Sequence, residues 1–375
     1  MQGKRILHVV GGMNLGGAET WLMHVLRSLS GAGVQTDFLV HTDKPCVYDA
    51  EIRSLGGQIW PCLTPVRPLI YAWHLQKILR RGHYDVIHSH VHHFSGLILN
   101  VADWLGVPLR IAHSHNDTSS LDTKVPAARR AYLQLMKHWI KEHATAGLAV
   151  SQQSAAALFG AHWVMSPRWR ILYCGINLEP FHARLDRKSI RAELGLPANA
   201  FVIGHVGRFD AQKNHAFLIN IFAALARLEK NARLLLVGAG PLQEGAERQA
   251  EALKVRDKII FAGLRRDVPG LMRGAMDLFL FPSLHEGLPL VLMEAQAAGL
   301  PCVISDTLPT ETDAVPELIT RLSLRASAED WAGEISRMHE FGSVPAPEKS
   351  LAAVEKSPFN IRSSVAALKE VYGLA

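Results

Sequence analysis

What most constrains the fold is a rhythm that runs from end to end: short apolar runs, most of them continuously apolar, alternate with amphipathic stretches of helical period. In the first half the runs are Arg5–Val10, Thr36–His41, Asp85–His90, Leu109–His113, Gly147–Ser151 and Arg170–Tyr173. In the second they are Phe201–Val206, Ala232–Val237, Lys258–Ala262, Leu278–Phe281 and Cys302–Ser305. A strand with one wet face alternates apolar and polar residues; a strand covered on both faces does not. Uninterrupted runs therefore predict parallel sheets with helices on each side. Helical patterns such as Trp21–Leu29, Ala216–Leu228 and Leu290–Ala298 fill the gaps, which makes two series of βαβ units.

A length of 375 residues suits two domains. The seam falls near Gly175–Arg191, where a polar segment from His182 to Lys188 breaks the rhythm before Phe201 restarts it. The expected division is 1–180 plus 358–375 for the first domain and 181–357 for the second. A loose stretch, Gly342–Ser357, is rich in Pro, Ser and Lys and precedes one last helix, Ile361–Tyr372. Doubly wound sheets bind ligands outside the carboxyl ends of their strands, so a cleft between two facing sheets is the expected site.

A net charge of +6, with 19 histidines counted as neutral, favours anionic partners. No nucleic-acid-binding motif occurs, which leaves nucleotides and phospholipid surfaces. The four cysteines, Cys46, Cys62, Cys174 and Cys302, form no C-x-x-C pair, so reduced thiols in a cytoplasmic protein are expected and neither a zinc site nor a disulfide scaffold is. Lys4, Arg5 and the apolar Ile6–Val10 imitate the start of a signal peptide, but the run stops at Gly11-Gly12 without a cleavage site and reads as a strand. No apolar run is long enough to cross a bilayer. Two basic amphipathic stretches, Trp73–Arg81 and Arg129–Lys141, admit two readings: packing of the apolar stripe on a sheet, the commoner use, or docking on an anionic membrane.

The densest chemistry lies in Ser283–Glu294, where Glu286 and Glu294 enclose a Gly-Leu-Pro turn and an apolar helix start. Pro289 suits the first helical position, where its missing N–H costs nothing. A helix starting there aims free amides and the positive end of its dipole at an anion in front of Gly287. One carboxylate beside a phosphate and another deeper in the helix suit a sugar nucleotide, whose hydroxyls need acceptors and whose diphosphate needs donors. A buried βα unit with a surface glutamate accounts for the spacing equally well.

Two further turns follow strand ends. Gly11–Glu19, with Gly16 and Gly17, opens a helix and lets backbone approach a phosphate or sugar, although its spacing is not the dinucleotide fingerprint. Gly207–Asn214 carries Arg208 and Lys213, a planar fork and a point charge suited to one diphosphate. His113 and His115 stand two apart on a strand and point the same way, so a metal pair is conceivable, but no third ligand has a convincing spacing. His88, His90, His92 and His93 dilute that signal; His115, at the strand end, is the one singled out.

Together these pieces resemble the retaining GT-B glycosyltransferases of family 4, especially the bacterial members that build capsule and exopolysaccharide. The match is ordered and nearly full length. It covers Gly16–Glu19, Arg110–Asn116, Gly207-Arg208 with Lys213-Asn214, Gly238–Leu242, Asp277, Pro282-Ser283, Glu286–Pro289, Glu294-Ala295 and Gly299–Pro301. Two positions depart from the family pattern: Cys174–Asn177 at the hinge, and Thr307–Glu311 in place of a Gly-rich turn.

The resemblance implies two Rossmann-like domains, with the last helix crossing back to the first. It implies that Arg208 and Lys213 hold the donor diphosphate. Glu286 would bind the donor sugar beside the reacting carbon, Gly287 and Leu288 would contribute backbone amides, and Glu294 would accept ribose hydroxyls. Gly16 and Gly17 would close on the phosphates and His115 would touch the transferred sugar. No catalytic metal and no cofactor are expected. The partners expected are a nucleoside-diphosphate sugar, a lipid-linked or oligosaccharide acceptor and, at a membrane's inner face, anionic lipid. Retention would proceed by front-face attack, with the leaving phosphate helping to take the acceptor's proton. Two other functions stay open on the sequence: a nucleotide-sugar epimerase on the same plan, and a non-catalytic sugar-nucleotide-binding subunit.

Overall fold

The computed structural model describes residues 3–31, 33–63, 67–117, 125–342 and 344–374. They divide into two compact units, Met1–Gly175 with Ile361–Ala375, and Ile176–Asn360. Each unit is a parallel sheet with helices on both faces, as uninterrupted apolar strands require.

The first unit holds β1 (Arg5–Val10), β2 (Gln35–Val40), β3 (Ile59–Pro61), β4 (Val86–Ser89), β5 (Leu109–Ser114), β6 (Ala146–Ala149) and β7 (Trp169–Ile171). Their order across the sheet is β3-β2-β1-β4-β5-β6-β7. The register His8↔His88 and His88↔Ile111 aligns the central strands so that one face collects residues of β1, β4 and β5. Trp21, on the helix Gly17–Leu29, is fully buried, a contribution of about 3 kcal/mol from apolar area alone. Its indole N–H donates to Ser364 Oγ at 2.8 Å, on the last helix, Ile361–Tyr372. That helix belongs to the first unit, as the resemblance implied.

The second unit holds β8 (Phe201–Val206), β9 (Ala232–Val237), β10 (Ile259–Phe261), β11 (Leu278–Phe281), β12 (Cys302–Ser305) and β13 (Ile319–Leu322), in the order β10-β9-β8-β11-β12-β13. Trp331, Phe222, Leu234 and Leu280 are central to its core. At the amino end of β8, Asp277 accepts from Arg191 Nη2 at 2.6 Å and from the Val202 amide at 2.8 Å, and pairs with Arg187. Its place in the family pattern is therefore structural.

Three features depart from the sequence reading. Two edge strands, β3 and β13, lie outside the expected runs: β3 is only the three residues Ile59-Trp60-Pro61, β13 mixes Thr320 and Arg321 with apolar residues, neither is fully buried, and one neighbour suffices to pair each. The stretch read as loose contains a helix, Pro347–Lys356. Pro347 stands at its first position, where proline is tolerated, and Ser350 and Val354 are buried. Finally, the polar segment near the seam, irregular from Ala183 to Asp186, runs into a helix, Arg187–Glu193, capped by the Asp186 side chain on the Lys188 amide.

Candidate functional site

In the second unit the loop after β8 and the loop after β11 are tied together. The Leu284 amide donates to Gln212 O at 2.9 Å, and Asn214 Nδ2 donates to Pro282 O at 3.1 Å. Asn214 adopts the left-handed conformation with φ of 54°, which asparagine tolerates better than most residues, and so turns the chain into the helix His215–Leu228. Gly238 and Gly240, from the Gly238–Leu242 motif, let the loop after β9 approach closely. A Cβ on Gly238 would lie 2.0 Å from Gly207 O, and one on Gly240 would lie 2.5 Å from Phe209 O. That motif shapes the loop bearing Arg208.

Within this frame Glu286 is buried and its two oxygens are claimed separately: Lys213 Nζ donates to Oε1 at 2.6 Å and Gln212 Nε2 to Oε2 at 2.9 Å. The Lys213 ammonium also lies 4.8 Å from the centre of the Phe281 ring. An ammonium has three donors, so one on Glu286 leaves two for an anion. Below it, His205 donates from Nδ1 to Leu280 O at 2.9 Å and His215 stacks on Phe209. Burial lowers both, His215 to about 4, so neither adds charge near neutrality.

Arg208 lies on the same loop, exposed, with no side-chain partner among the described residues. Beyond Glu286, the amides of Gly287, Leu288, Leu290 and Val291 donate no hydrogen bond among the described residues. They precede or open the helix Leu290–Ala297, whose N-cap is Pro289. Pro289 is thus one position earlier than its expected place at the first helical residue. Its carbonyl accepts from the Leu292 amide at 2.9 Å, which tightens the first turn. Glu294, half-buried on this helix, has no hydrogen-bonding partner for its carboxylate among the described residues, and burial raises it to about 7. The structure brings Glu286 and Lys213 into contact; it shows no contact of either with Arg208 or Glu294. A shallow cavity of about 290 Å³, lined by Phe201, Glu229, Asp277 and His339, lies at the opposite, amino end of β8 and contains none of these residues.

In the first unit Gly16 caps the helix Gly17–Leu29 in an extended conformation, with the Thr20 amide donating to its carbonyl at 2.9 Å. A Cβ there would fall 2.3 Å from Glu19 Oε2. His115, just past β5, is one of five histidines gathered on one face of the sheet. His90 Nδ1 is hydrogen-bonded to His115 Nε2 at 2.8 Å and His90 Nε2 to His8 Nδ1 at 3.0 Å. His88 joins Tyr372 Oη at 2.6 Å and His113 Nδ1 at 3.1 Å. Burial holds all five neutral, His8 and His115 being lowered to about 3. His113 Nε2 is buried without a partner, a loss of about 1–3 kcal/mol against a satisfied atom.

Sequence spacing missed three elements here. Gln212 carries no motif, although it is next to Lys213. Asn214 was visible, and an asparagine just before a helical pattern signals a cap or left-handed turn. The histidine pair on β5 has the third neighbour its spacing denied it, because His90 comes from the adjacent strand.

Comparison with known proteins identifies the family of the chain. Residues 15–180 match the model of Glycosyltransferase Family 4, and residues 186–342 match that of Glycosyl transferases group 1. A protein named glycosyltransferase EpsF, from Bacillus subtilis, is 37% identical over 99% of this chain and 97% of its own. The chain belongs to glycosyltransferase family 4, with the GT-B fold. An Escherichia coli UDP-Gal:α-D-GlcNAc-diphosphoundecaprenol α-1,3-galactosyltransferase is 28% identical over 62% of this glycosyltransferase and 60% of its own length. Anabaena Alr3699/HepE, crystallised with UDP, superposes with a TM-score of 0.80 at 18% identity, covering 99% of this chain and 100% of that one. Family membership supports glycosyltransferase activity. Among the described residues no helix is long and apolar enough to cross a membrane.

Proposed function

We propose that this glycosyltransferase moves a hexose, with retention of anomeric configuration, from a nucleoside-diphosphate sugar to a lipid-linked or oligosaccharide acceptor in surface polysaccharide biosynthesis. The observation that carries the reading is the Lys213–Glu286 pair, locked by Gln212 at the carboxyl end of the second sheet on the loop that carries the unpaired Arg208. The names of the B. subtilis and E. coli relatives support the transfer, the hexose and the diphosphate-lipid acceptor. A Staphylococcus aureus relative, 24% identical over 98% of this chain, is named a capsular polysaccharide biosynthesis glycosyltransferase, which supports the pathway class.

Breaking a glycosyl–phosphate bond puts positive charge on the sugar ring and negative charge on the diphosphate. In this reading Arg208, two free donors of Lys213 and the amides of Gly287 and Leu288 receive the second, without a metal. Glu286, held still by its two donors, binds the sugar beside the reacting carbon. Glu294 accepts ribose hydroxyls, Gly16 and Gly17 approach the phosphates, and His115 touches the sugar. A retaining glycosidase uses one carboxylate as nucleophile and a second as acid/base across the scissile bond, and the structure shows no contact between Glu286 and Glu294. Glu286 is already paired, which favours front-face attack assisted by the leaving phosphate. A donor whose sugar is α-linked to its diphosphate then gives an α-linked product, the linkage named for the E. coli relative.

The enzyme is placed in the cytoplasm, in peripheral contact with anionic lipid. The helix Ala127–His143 buries Leu133, Met136 and Ile140 against the core, the commoner use of such a stripe. The helix Pro68–Gly82 instead exposes Leu69, Ile70 and Trp73, with Lys77 over the Trp73 ring, and is the docking face. Flotation with anionic vesicles checks this; equal binding after Trp73→Ala and Leu69→Ser removes the assignment.

The whole reading is tested by incubating the enzyme with UDP- and GDP-sugars and polyprenyl-diphosphate-linked or oligosaccharide acceptors, and reading the anomeric coupling of the product by NMR. Retained configuration, in the presence of chelator, is the expected result. An inverted product rules out the mechanism, and isomerised donor without acceptor rules out the reaction class.

A further inference from the structure

The histidine cluster of the first unit is larger than a sugar contact needs. His90, His113 and His115 each offer a ring nitrogen, and these atoms all lie within 4.8 Å of one another. Three points that close together share a centre no more than about 2.8 Å from each, against about 2.0–2.1 Å for a zinc–imidazole bond. Small side-chain rotations cover the difference. The rings are already aligned in one group, with His113 and His115 centroids 4.1 Å apart and His90 and His115 centroids 5.1 Å apart.

A second observation is independent of the spacing. His113 is fully buried, and its Nε2 has no hydrogen-bond partner, while its Nδ1 is held by His88 Nε2 at 3.1 Å. A metal-bound histidine shows this pattern: one nitrogen fixed by a neighbour, the other left for the ion. The neighbour is itself anchored, since His88 Nδ1 is bonded to Tyr372 Oη. Cys174 Sγ, 3.9 Å from His115 Nδ1, is a further soft ligand beside the cluster.

We propose that the first unit binds one first-row transition-metal ion, zinc by preference, through His90, His113 and His115. Three neutral imidazoles with a fourth position open to water or to Cys174 suit Zn2+, Co2+ and Ni2+ and suit Mg2+ or Ca2+ poorly. The ion is distinct from the metal-free diphosphate chemistry of the second unit. Binding is the claim, and it stands or falls separately from the role of His115 in transfer.

The full-length enzyme, stripped with chelator, is titrated with Co2+ and then with Zn2+ against a chromogenic competitor. One equivalent of Co2+ developing tetrahedral ligand-field bands that Zn2+ abolishes is expected. His113→Asn keeps an amide at the Nδ1 position, so the bond to His88 survives while the Nε2 ligand is lost; it should weaken Zn2+ at least about tenfold. Absence of the bands from folded wild-type protein overturns the proposal, as does unchanged Zn2+ affinity in His113→Asn. Should that variant not fold, zinc-edge X-ray absorption of the loaded wild type decides: three imidazole nitrogens support the site and fewer refute it.

Discussion

The carboxyl ends of the two sheets are built from the same topology and carry opposite electrostatics. In the second unit a buried ion pair, an exposed arginine and free helix amides gather at the ends of β8 and β11. In the first, five uncharged imidazoles gather at the ends of β1, β4 and β5 and bond mainly to one another. A doubly wound sheet thus supplies position without dictating charge, and residues at a few strand ends decide the guest. Fixed positive charge suits a diphosphate; buried neutral nitrogens suit groups that share a lone pair or a hydrogen bond.

The contrast is broken most strongly by Glu286→Ala. It removes the proposed sugar contact and leaves the Lys213 ammonium, with 15% of its side chain exposed, without its partner. Transfer should fall by about 10²–10³ in kcat; steady-state kinetics that match wild type would remove Glu286 from the mechanism. Asp277→Ala, at the other end of the same sheet, should leave kcat unchanged. Its cost is structural: loss of the Arg191 pair should destabilise the second unit by about 2 kcal/mol, read as an earlier thermal transition.

Glu294→Gln sharpens the comparison through pH. Burial raises the Glu294 carboxyl to about 7 from 4.5, so its contribution to stability is present below 4.5 and is lost as pH rises through about 7. If Glu294 binds the ribose as proposed, nucleotide affinity runs the other way, because the ionised carboxylate is the better hydroxyl acceptor. Affinity should therefore rise by up to about tenfold through neutral pH, as each pKa unit links to 1.36 kcal/mol. Calorimetric titration of the Gln variant should give a flat profile; an unchanged slope would show that Glu294 is not the titrating group.

The central strands were legible because β1, β8, β9, β11 and β12 are dominated by apolar residues and stand between helical patterns. Of the four edge strands, β7 and β10 were legible as Arg170–Tyr173 and Lys258–Ala262, whereas β3 and β13 were not, since they are short and lack full burial. The helix Pro347–Lys356 hid behind a composition that reads as a loop. In the site, chain order exposed Glu286, Arg208 and Lys213, whose loops each follow a strand. Pairings across strands were invisible: the spacing of His113 and His115 says nothing of His90, and nothing around Gln212 signals its grip on Glu286.

The central claim is that cations of the second unit capture the diphosphate, and Arg208 tests it most directly because its exposed side chain has no structural duty. Calorimetric titration of UDP and GDP into wild type and Arg208→Ala, with thermal midpoints measured alongside, is the decisive measurement. The account predicts a loss of about 10–100-fold in diphosphate affinity at an unchanged midpoint. Equal affinity in the two proteins would contradict it.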